Sequence, residues 1–283
     1  MCDGRSHTLK VQFARVGYGR APMRFEGKIG IITGGGTGIG EATARGFAAE
    51  GGKAVLLGPE QGPLETVAGD IGGVAIVGDA ADAGDVGRAL AAAKDLGGLD
   101  VVVTCAGGEG FGTLLDVPAE TFEAHMRLNL TTAVVTTRET LPALIERGGG
   151  SIVLTSSVAG LTAAGALVTY TTAKTALLGF VRSVAVDYGP QGVRVNAVCP
   201  GGTRTRMLQE AIDMVAEDRG VDEARALEIM NTGTPLRRFA DPSELAKVNL
   251  FLASDDASFV TGSTIVADGG QSAVNVGMLA LLE

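Results

Sequence analysis

The chain has no tryptophan and only 4% aromatic residues, so a core for 283 residues has to be assembled from Val, Ile, Leu and Ala. Histidine is confined to His7 and His125, which leaves no basis for a histidine metal site, and no metal is expected. The three cysteines, Cys2, Cys105 and Cys199, are odd in number and widely spaced. That spacing fits neither a disulfide framework nor a zinc-ligand pattern, and it suits a reducing cytoplasm. No apolar run approaches the roughly 20 residues that span a bilayer, and the N-terminal stretch lacks the apolar block of a secretory signal. A soluble cytoplasmic protein without a membrane partner is expected. The formal charge of -9 argues against nucleic acid as a partner, because phosphate-backbone affinity depends on clustered Lys and Arg. There is also no Gly-x-Ser-x-Gly elbow for a hydrolase and no Lys after the glycine-rich turn for a P-loop enzyme.

What is abundant is small and apolar: 46% hydrophobic residues and 43 glycines. Parallel strands buried on both faces need such short branched side chains. From Lys28 onward, apolar runs alternate with helical stretches, the pattern of βαβ units. Strands are expected near 28-33, 53-58, 74-78, 100-105, 151-156, 193-198 and 264-267. Helices are expected near 38-50, 61-70, 84-96, 118-147, 166-189 and 242-253. The fold class is α/β: a Rossmann-type, doubly wound, seven-stranded parallel sheet with helices on both faces. One domain is expected over 23-283, preceded by a flexible extension, 1-22, whose basic residues make a docking arm the less favoured alternative. Residues 203-240 break the alternation and read as one or two short helices inserted after strand six, either a packing excursion or a mobile lid. The apolar end, Gly277 to Leu282, is expected to pack on the body or on a partner.

Two motifs carry chemistry. In Thr33-Gly34-Gly35-Gly36-Thr37-Gly38-Ile39-Gly40 an apolar strand enters glycines and then a helix. Such a turn lets backbone approach a pyrophosphate, and the helix start offers unpaired N–H groups and a positive dipole end. Alone it reads equally as an ordinary loop; its place after the first strand favours a dinucleotide. The second motif is Tyr170 with Lys174, which share one helix face at i and i+4, so that an ammonium approaches a phenol. That should favour the ionised phenol, although such a pair is also common on solvated helices. Ser156 and Ser157 close the preceding strand, where a hydroxyl could meet a substrate oxygen or simply shape a turn. It is the convergence of all three on one sheet edge that points to catalysis.

With these residues in place, the chain from about Phe25 to Gly270 resembles the classical branch of the short-chain dehydrogenase/reductase family. Thr33-Gly34-x-x-x-Gly38-x-Gly40 matches the family's cofactor turn, with Gly36, Thr37 and Ile39 inside it. Asp79, followed by Ala80, matches the adenine-side position, and Cys105-Ala106-Gly107 stands where the family has Asn-Ala-Gly. Asn129 matches the helix Asn of the catalytic tetrad, Ser157 precedes Tyr170 by the family spacing, and Pro200-Gly201 with Thr203 and Thr205 matches the nicotinamide-side loop. The resemblance implies a carbonyl/secondary-alcohol oxidoreductase using NAD or NADP. Tyr170 would be the acid/base, Ser157 would polarise the substrate oxygen, and Lys174 would bind the ribose and lower the phenol pKa. Asn129 would hold a relay water.

Two departures qualify it. Cys105 replaces the family Asn, implying a different brace between strands and otherwise a small buried hydrophobe. At the end of strand two, Leu57-Gly58-Pro59-Glu60 lacks the usual discriminating Asp or Arg; Gly58 takes that place, no basic group stands there, and Glu60 would repel a 2′-phosphate, which favours NAD. A 3-oxoacyl-carrier-protein reductase is the nearest subclass, and would need a basic patch from Arg127, Arg138, Arg204, Arg206, Arg237 and Arg238. Oxidation of a diol, sugar or sterol, and a catalytically silent cofactor-binding scaffold, are the alternatives. The family resemblance further implies a homo-oligomer, tetramer or dimer, pairing through 118-147 and 166-189.

Overall fold

The computed structural model describes residues 23–275, and the expectations for 1-22 and for Gly277 to Leu282 lie outside them. Seven parallel strands form one sheet in the order β3-β2-β1-β4-β5-β6-β7. They are β1 (Ile29–Thr33), β2 (Lys53–Gly58), β3 (Val74–Val77), β4 (Val101–Thr104), β5 (Gly150–Thr155), β6 (Val193–Pro200) and β7 (Thr264–Ala267). Each expected strand is present, within two residues at either end.

Alternate strand residues feed two separate cores, as the pleat requires. Ile31, Val55, Leu57, Val102, Ile152, Leu154 and Val195 point to one face. There they meet α3 (Ala83–Asp95), α5 (Thr132–Glu146) and α6 (Val168–Tyr188) through Val86, Leu144, Leu177 and Val181. Ile32, Leu56, Val103, Val153 and Val198 point to the other. There they meet α1 (Gly38–Ala49), α2 (Gln61–Ile71) and α9 (Pro242–Ala253) through Phe47, Leu64, Val67, Leu245 and Leu250. Without tryptophan, the tilted pair Phe25–Phe47, 4.6 Å between centroids, supplies the largest side chains of the second core.

The direction in which successive strands are added across the sheet reverses between β1 and β4: β2 and β3 lie on one side of β1, and β4 to β7 lie on the other. At such a switch point the loops after the two central strands part and leave a crevice at the carboxyl edge. The expected helix 118-147 is not continuous. It divides into α4 (Ala119–Met126), a π-helical turn (Arg127–Thr131) and α5. The extra residue in a π turn rotates the next stretch of helix about its axis, and such turns often mark functional positions. The insertion after β6 contains two helices, α7 (Arg206–Arg219) and α8 (Glu223–Asn231), which share a small core of Ile212, Ala226 and Phe239.

Candidate active site at the carboxyl edge of the sheet

Gly34 leaves β1 with φ +64, and its N–H donates to Leu57 O at 2.8 Å, so the turn begins inside the sheet. The chain then folds back so tightly that a Cβ on Gly40 would sit 2.1 Å from Gly34 O. Gly36 presses on the Leu64 backbone, Gly38 abuts Thr205, and Ile39 packs toward the second core. The Thr37 side chain makes no cap bond, so the first amides of α1 have no side-chain acceptor. A cradle of backbone too close for side chains, ending on uncapped N–H groups, fits a pyrophosphate.

The crevice rim is built by neighbouring strand ends. Gly58 closes β2, and its carbonyl accepts from Gly78 N at 3.0 Å. Asp79 accepts from Arg127 Nη2 at 2.7 Å and from Ala81 N at 2.8 Å, while Ala80 is buried. Arg127, on the π turn, thus ties Asp79 to the helix pair behind the site. After β4, Ala106 N donates to Thr33 Oγ1 at 3.2 Å, which links the two central loops. Cys105 Sγ lies 3.3 Å from Thr155 Oγ1 of β5, and Asn249 Nδ2 of α9 approaches the same sulfur at 4.0 Å. This is the different brace expected of the cysteine; burial pushes its thiol up to about 11, so it stays protonated. On the far side Pro200 ends β6, Gly201 lies against the Asp268 backbone, Thr203 Oγ1 donates to Gly201 O, and Thr205 begins α7.

The four tetrad candidates converge beside the Cys105-Ala106-Gly107 loop. Asn129, 1% exposed at the centre of the π turn, accepts from Gly108 N at 3.1 Å and donates to His125 O at 3.2 Å. A Cβ on Gly107 would meet both Asn129 Oδ1, at 3.0 Å, and Lys174 Nζ, at 3.3 Å. Lys174 is 4% exposed, donates to Thr155 O at 3.1 Å, and stands 5.5 Å from the centroid of the Tyr170 ring. The two adjacent serines have different duties. Ser156 is buried and donates to Lys174 O at 2.8 Å, whereas Ser157 accepts from Ala159 N and is close enough to the Tyr170 phenol to favour its ionised form. Gly160 seats this turn on α6, since a Cβ there would come 2.8 Å from Lys174 O.

The electrostatics differ from the sequence expectation in one respect. Burial pushes the Tyr170 phenol above its ordinary value, the Ser157 bond opposes the rise, and Glu109 and Cys199 add to it. Lys174, lying over the ring and bonded to a carbonyl, is itself lowered to about 8 by burial. Desolvation, which disfavours both charged forms, outweighs the expected pull of the ammonium on the phenol. Stability then depends on pH through the lysine. Between about pH 8 and about 10.4 the unfolded chain keeps a lysine proton that the folded chain has released, so Lys174 makes stability rise with pH. The raised thiols of Cys105 and Cys199 act in the opposite sense. A Lys174→Met variant should therefore lose stability more steeply than its parent over that window, as measured by urea unfolding of the cofactor-free protein.

Several contacts around the crevice have no signature in the sequence. His125 Nδ1 lies 2.9 Å from Thr169 Oγ1, which in turn donates to Gly110 O at 3.2 Å, joining α4, α6 and the loop after β4. Arg206 bonds Glu60 at 2.8 Å. The Leu57-Gly58-Pro59-Glu60 stretch carries no basic group of its own, but α7 brings Arg206 to it across 146 residues. The arginines considered as a basic patch are largely committed, Arg127 to Asp79, Arg138 to Glu139, Arg206 to Glu60 and Arg238 to Glu244. Among the described residues no cluster of His, Cys, Asp and Glu could hold a metal, and no helix is long and apolar enough to cross a membrane.

Known proteins are similar to this chain in both sequence and fold. A family model described as Enoyl-(Acyl carrier protein) reductase matches residues 34–272. The oxidoreductase UcpA of Salmonella typhimurium is 37% identical over 265 residues, covering 90% of this chain and 99% of that protein. The 2,5-dichloro-2,5-cyclohexadiene-1,4-diol dehydrogenase of Sphingobium indicum is 40% identical over 254 residues, covering 88% of this chain and 98% of that protein. The structure of L-sorbose reductase from Gluconobacter frateurii, complexed with NADPH and L-sorbose, aligns with a TM-score of 0.83 at 29% identity, covering 90% of this chain and 100% of that one.

Proposed function

The chain belongs to the short-chain dehydrogenase/reductase family, and from that premise we propose that Tyr170, Ser157, Lys174 and Asn129 carry its reaction. It is an NAD(P)-dependent oxidoreductase that interconverts a carbonyl and a secondary alcohol. The observation that supports the residue assignment is the meeting of Ser157 with the Tyr170 hydroxyl, with Lys174 Nζ over the phenol ring.

A bound nicotinamide dinucleotide supplies the hydride donor or acceptor. The Gly34–Gly40 turn and the start of α1 would hold its pyrophosphate, Asp79 and Ala80 the adenine side, and Cys105-Ala106-Gly107 with Pro200 to Thr205 the nicotinamide side. Ser157 Oγ accepts from Ala159 N, and its hydroxyl hydrogen, which favours the Tyr170 phenolate in the free protein, would turn to the substrate oxygen when substrate binds. Tyr170 then gives or takes the proton on that oxygen, and the ordered Ser–Tyr pair fixes the oxygen's position before reaction. Asn129 commits its amide oxygen and one amide hydrogen to backbone, so it positions the loop that carries Gly107 and keeps one hydrogen for a relay water. Turnover of secondary alcohols or ketones, followed by nicotinamide absorbance, tests the assignment. Cofactor binding with no turnover of any carbonyl would instead favour a silent scaffold.

For the cofactor we propose NAD. A 2′-phosphate could reach Arg206 only by displacing Glu60, and the freed carboxylate would remain beside the phosphate. NADH should therefore bind more tightly than NADPH in a fluorescence titration. Glu60→Ala, which releases Arg206, should raise NADPH affinity about three- to tenfold, an exposed-charge effect that shrinks in high salt. The pairing of Arg127, Arg138, Arg206 and Arg238 with carboxylates argues against an acidic carrier protein as substrate. As further parts of the same proposal, the protein acts in the cytoplasm as a homo-oligomer, tetramer or dimer, which would cover the exposed Leu128, Val186 and Phe259.

A further inference from the structure

The loop after β4 runs Gly107-Gly108-Glu109-Gly110, and its three glycines are there because the catalytic helices leave no room. A Cβ on Gly107 would meet Asn129 and Lys174. One on Gly108 would come 2.6 Å from Leu128, and one on Gly110 would come 2.4 Å from Thr169 Oγ1 and 2.8 Å from His125 Nδ1. Glu109 is therefore the one side chain that this stretch carries. It is pinned from both sides: Gly108 N donates to Asn129 Oδ1, and Gly110 O accepts from Thr169 Oγ1, next to Tyr170. Further along, Gly112 N donates to Ala166 O at 2.8 Å, which holds the loop over the start of α6.

Glu109 is half-buried, yet it makes no hydrogen bond or ion pair with any described residue. Its carboxylate is near enough to Tyr170 to raise the phenol, and burial together with Glu210 of α7 raises Glu109 itself. A half-buried carboxylate without a partner is costly wherever it sits, and on a loop held between Asn129 and the residue before Tyr170 it is an acceptor ready for a donor on the substrate. Resting on the oxidoreductase reading above, we infer that Glu109 is a specificity-determining residue that accepts a hydrogen bond from a second hydroxyl close to the reacting carbon, so that the substrate is a diol or hydroxy ketone. A hydroxyl fits better than an ammonium. It satisfies the acceptor without bringing a second charge out of water, and the other carboxylate nearby, Glu210, is exposed and screened.

The test compares the parent with Glu109→Ala and Glu109→Gln on cyclohexanol, its vicinal diol and the corresponding amino alcohol. In the parent, kcat/KM for the diol should exceed that for cyclohexanol by about tenfold or more, the worth of one hydrogen bond to a carboxylate. Glu109→Ala should bring that ratio toward one, and Glu109→Gln, which keeps an acceptor, should retain part of it. The parent's preference should also fade as pH falls through the raised Glu109 titration, whereas the Gln variant's should stay flat. A diol-to-alcohol ratio equal in parent and Ala variant, or an amino alcohol preferred over the diol, would overturn the inference. Failure to turn over any alcohol would overturn the oxidoreductase reading instead. In that event quenching of bound NADH fluorescence by the diol still reads the Glu109 site: loss of quenching in the Ala variant upholds it, and quenching that is unchanged or absent from the parent refutes it.

Discussion

Replacing Tyr170 with Phe should lower turnover about a hundred- to ten-thousandfold, equivalent to about 3–5 kcal/mol of transition-state stabilisation, while leaving NADH affinity within a few-fold. The ring itself is retained, so packing under the site and the contact of Lys174 with the ring face survive. What is lost is the hydroxyl proposed to move a proton on the substrate oxygen. Steady-state rates and a fluorescence titration on the same preparation separate the two effects. Turnover equal to the parent's would refute the assignment of Tyr170. A parallel loss of NADH binding would mean that the substitution had disturbed the crevice rather than the chemistry.

A comparably large effect, on stability and binding together, should result from Gly40→Ala. The added Cβ would lie 2.1 Å from Gly34 O and 2.7 Å from Gly34 C, and both are backbone atoms that no rotamer change can move aside. Either α1 shifts along its axis or the Gly34 turn opens. Overpacking of this kind costs about 2–3 kcal/mol, which for a chain of this length lowers Tm by roughly 5–10 °C. Dinucleotide affinity should fall as well, because the displaced backbone is the proposed pyrophosphate cradle. The contrasting position is Gly62 in α2, where a Cβ would meet nothing within 4 Å. Gly62→Ala should leave Tm at or slightly above that of the parent, since Ala is the better helix former. Thermal unfolding of the two variants side by side separates a steric requirement from a general sensitivity to glycine replacement.

The strands and the site are legible in the sequence to different depths, for identifiable reasons. All seven strands are visible because the five inner ones, buried on both faces, are mainly apolar, and because the edge strands β3 and β7, though partly exposed, are short apolar runs. Ser157, Tyr170 and Lys174 are visible because sequence spacing and helical period already place them together. The π turn at Arg127–Thr131 is not: its residues, Arg-Leu-Asn-Leu-Thr, are compatible with plain helix, and only packing against the loop after β4 selects the wider turn. The direction of the Tyr170 shift is hidden for a related reason. Spacing indicates that Lys174 is near, whereas the depth of burial, which decides the sign, depends on β5, β6 and the loop after β4 closing around both residues. Arg206 and Glu60 lie 146 residues apart, and their pairing has no local signature. Glu109 escapes notice because a single acidic residue among glycines reads as a loop residue. Its place becomes visible only through the partners of Gly108 and Gly110.

Tyr170 and Lys174 occupy the first two turns of α6, and the later turns bury Leu177, Val181, Val184 and Ala185 in the core under the sheet. The proposed proton-transfer group is thus mechanically continuous with the larger of the two main cores, and it can leave its position only if that core opens. Helices α7 and α8 are held by a smaller core and by an exposed ion pair. Elements with few buried contacts open locally at low free-energy cost, whereas those seated in the main core open only with the whole fold. Helices α7 and α8 can therefore open locally many times in the lifetime of one folded molecule without loosening the geometry of Tyr170.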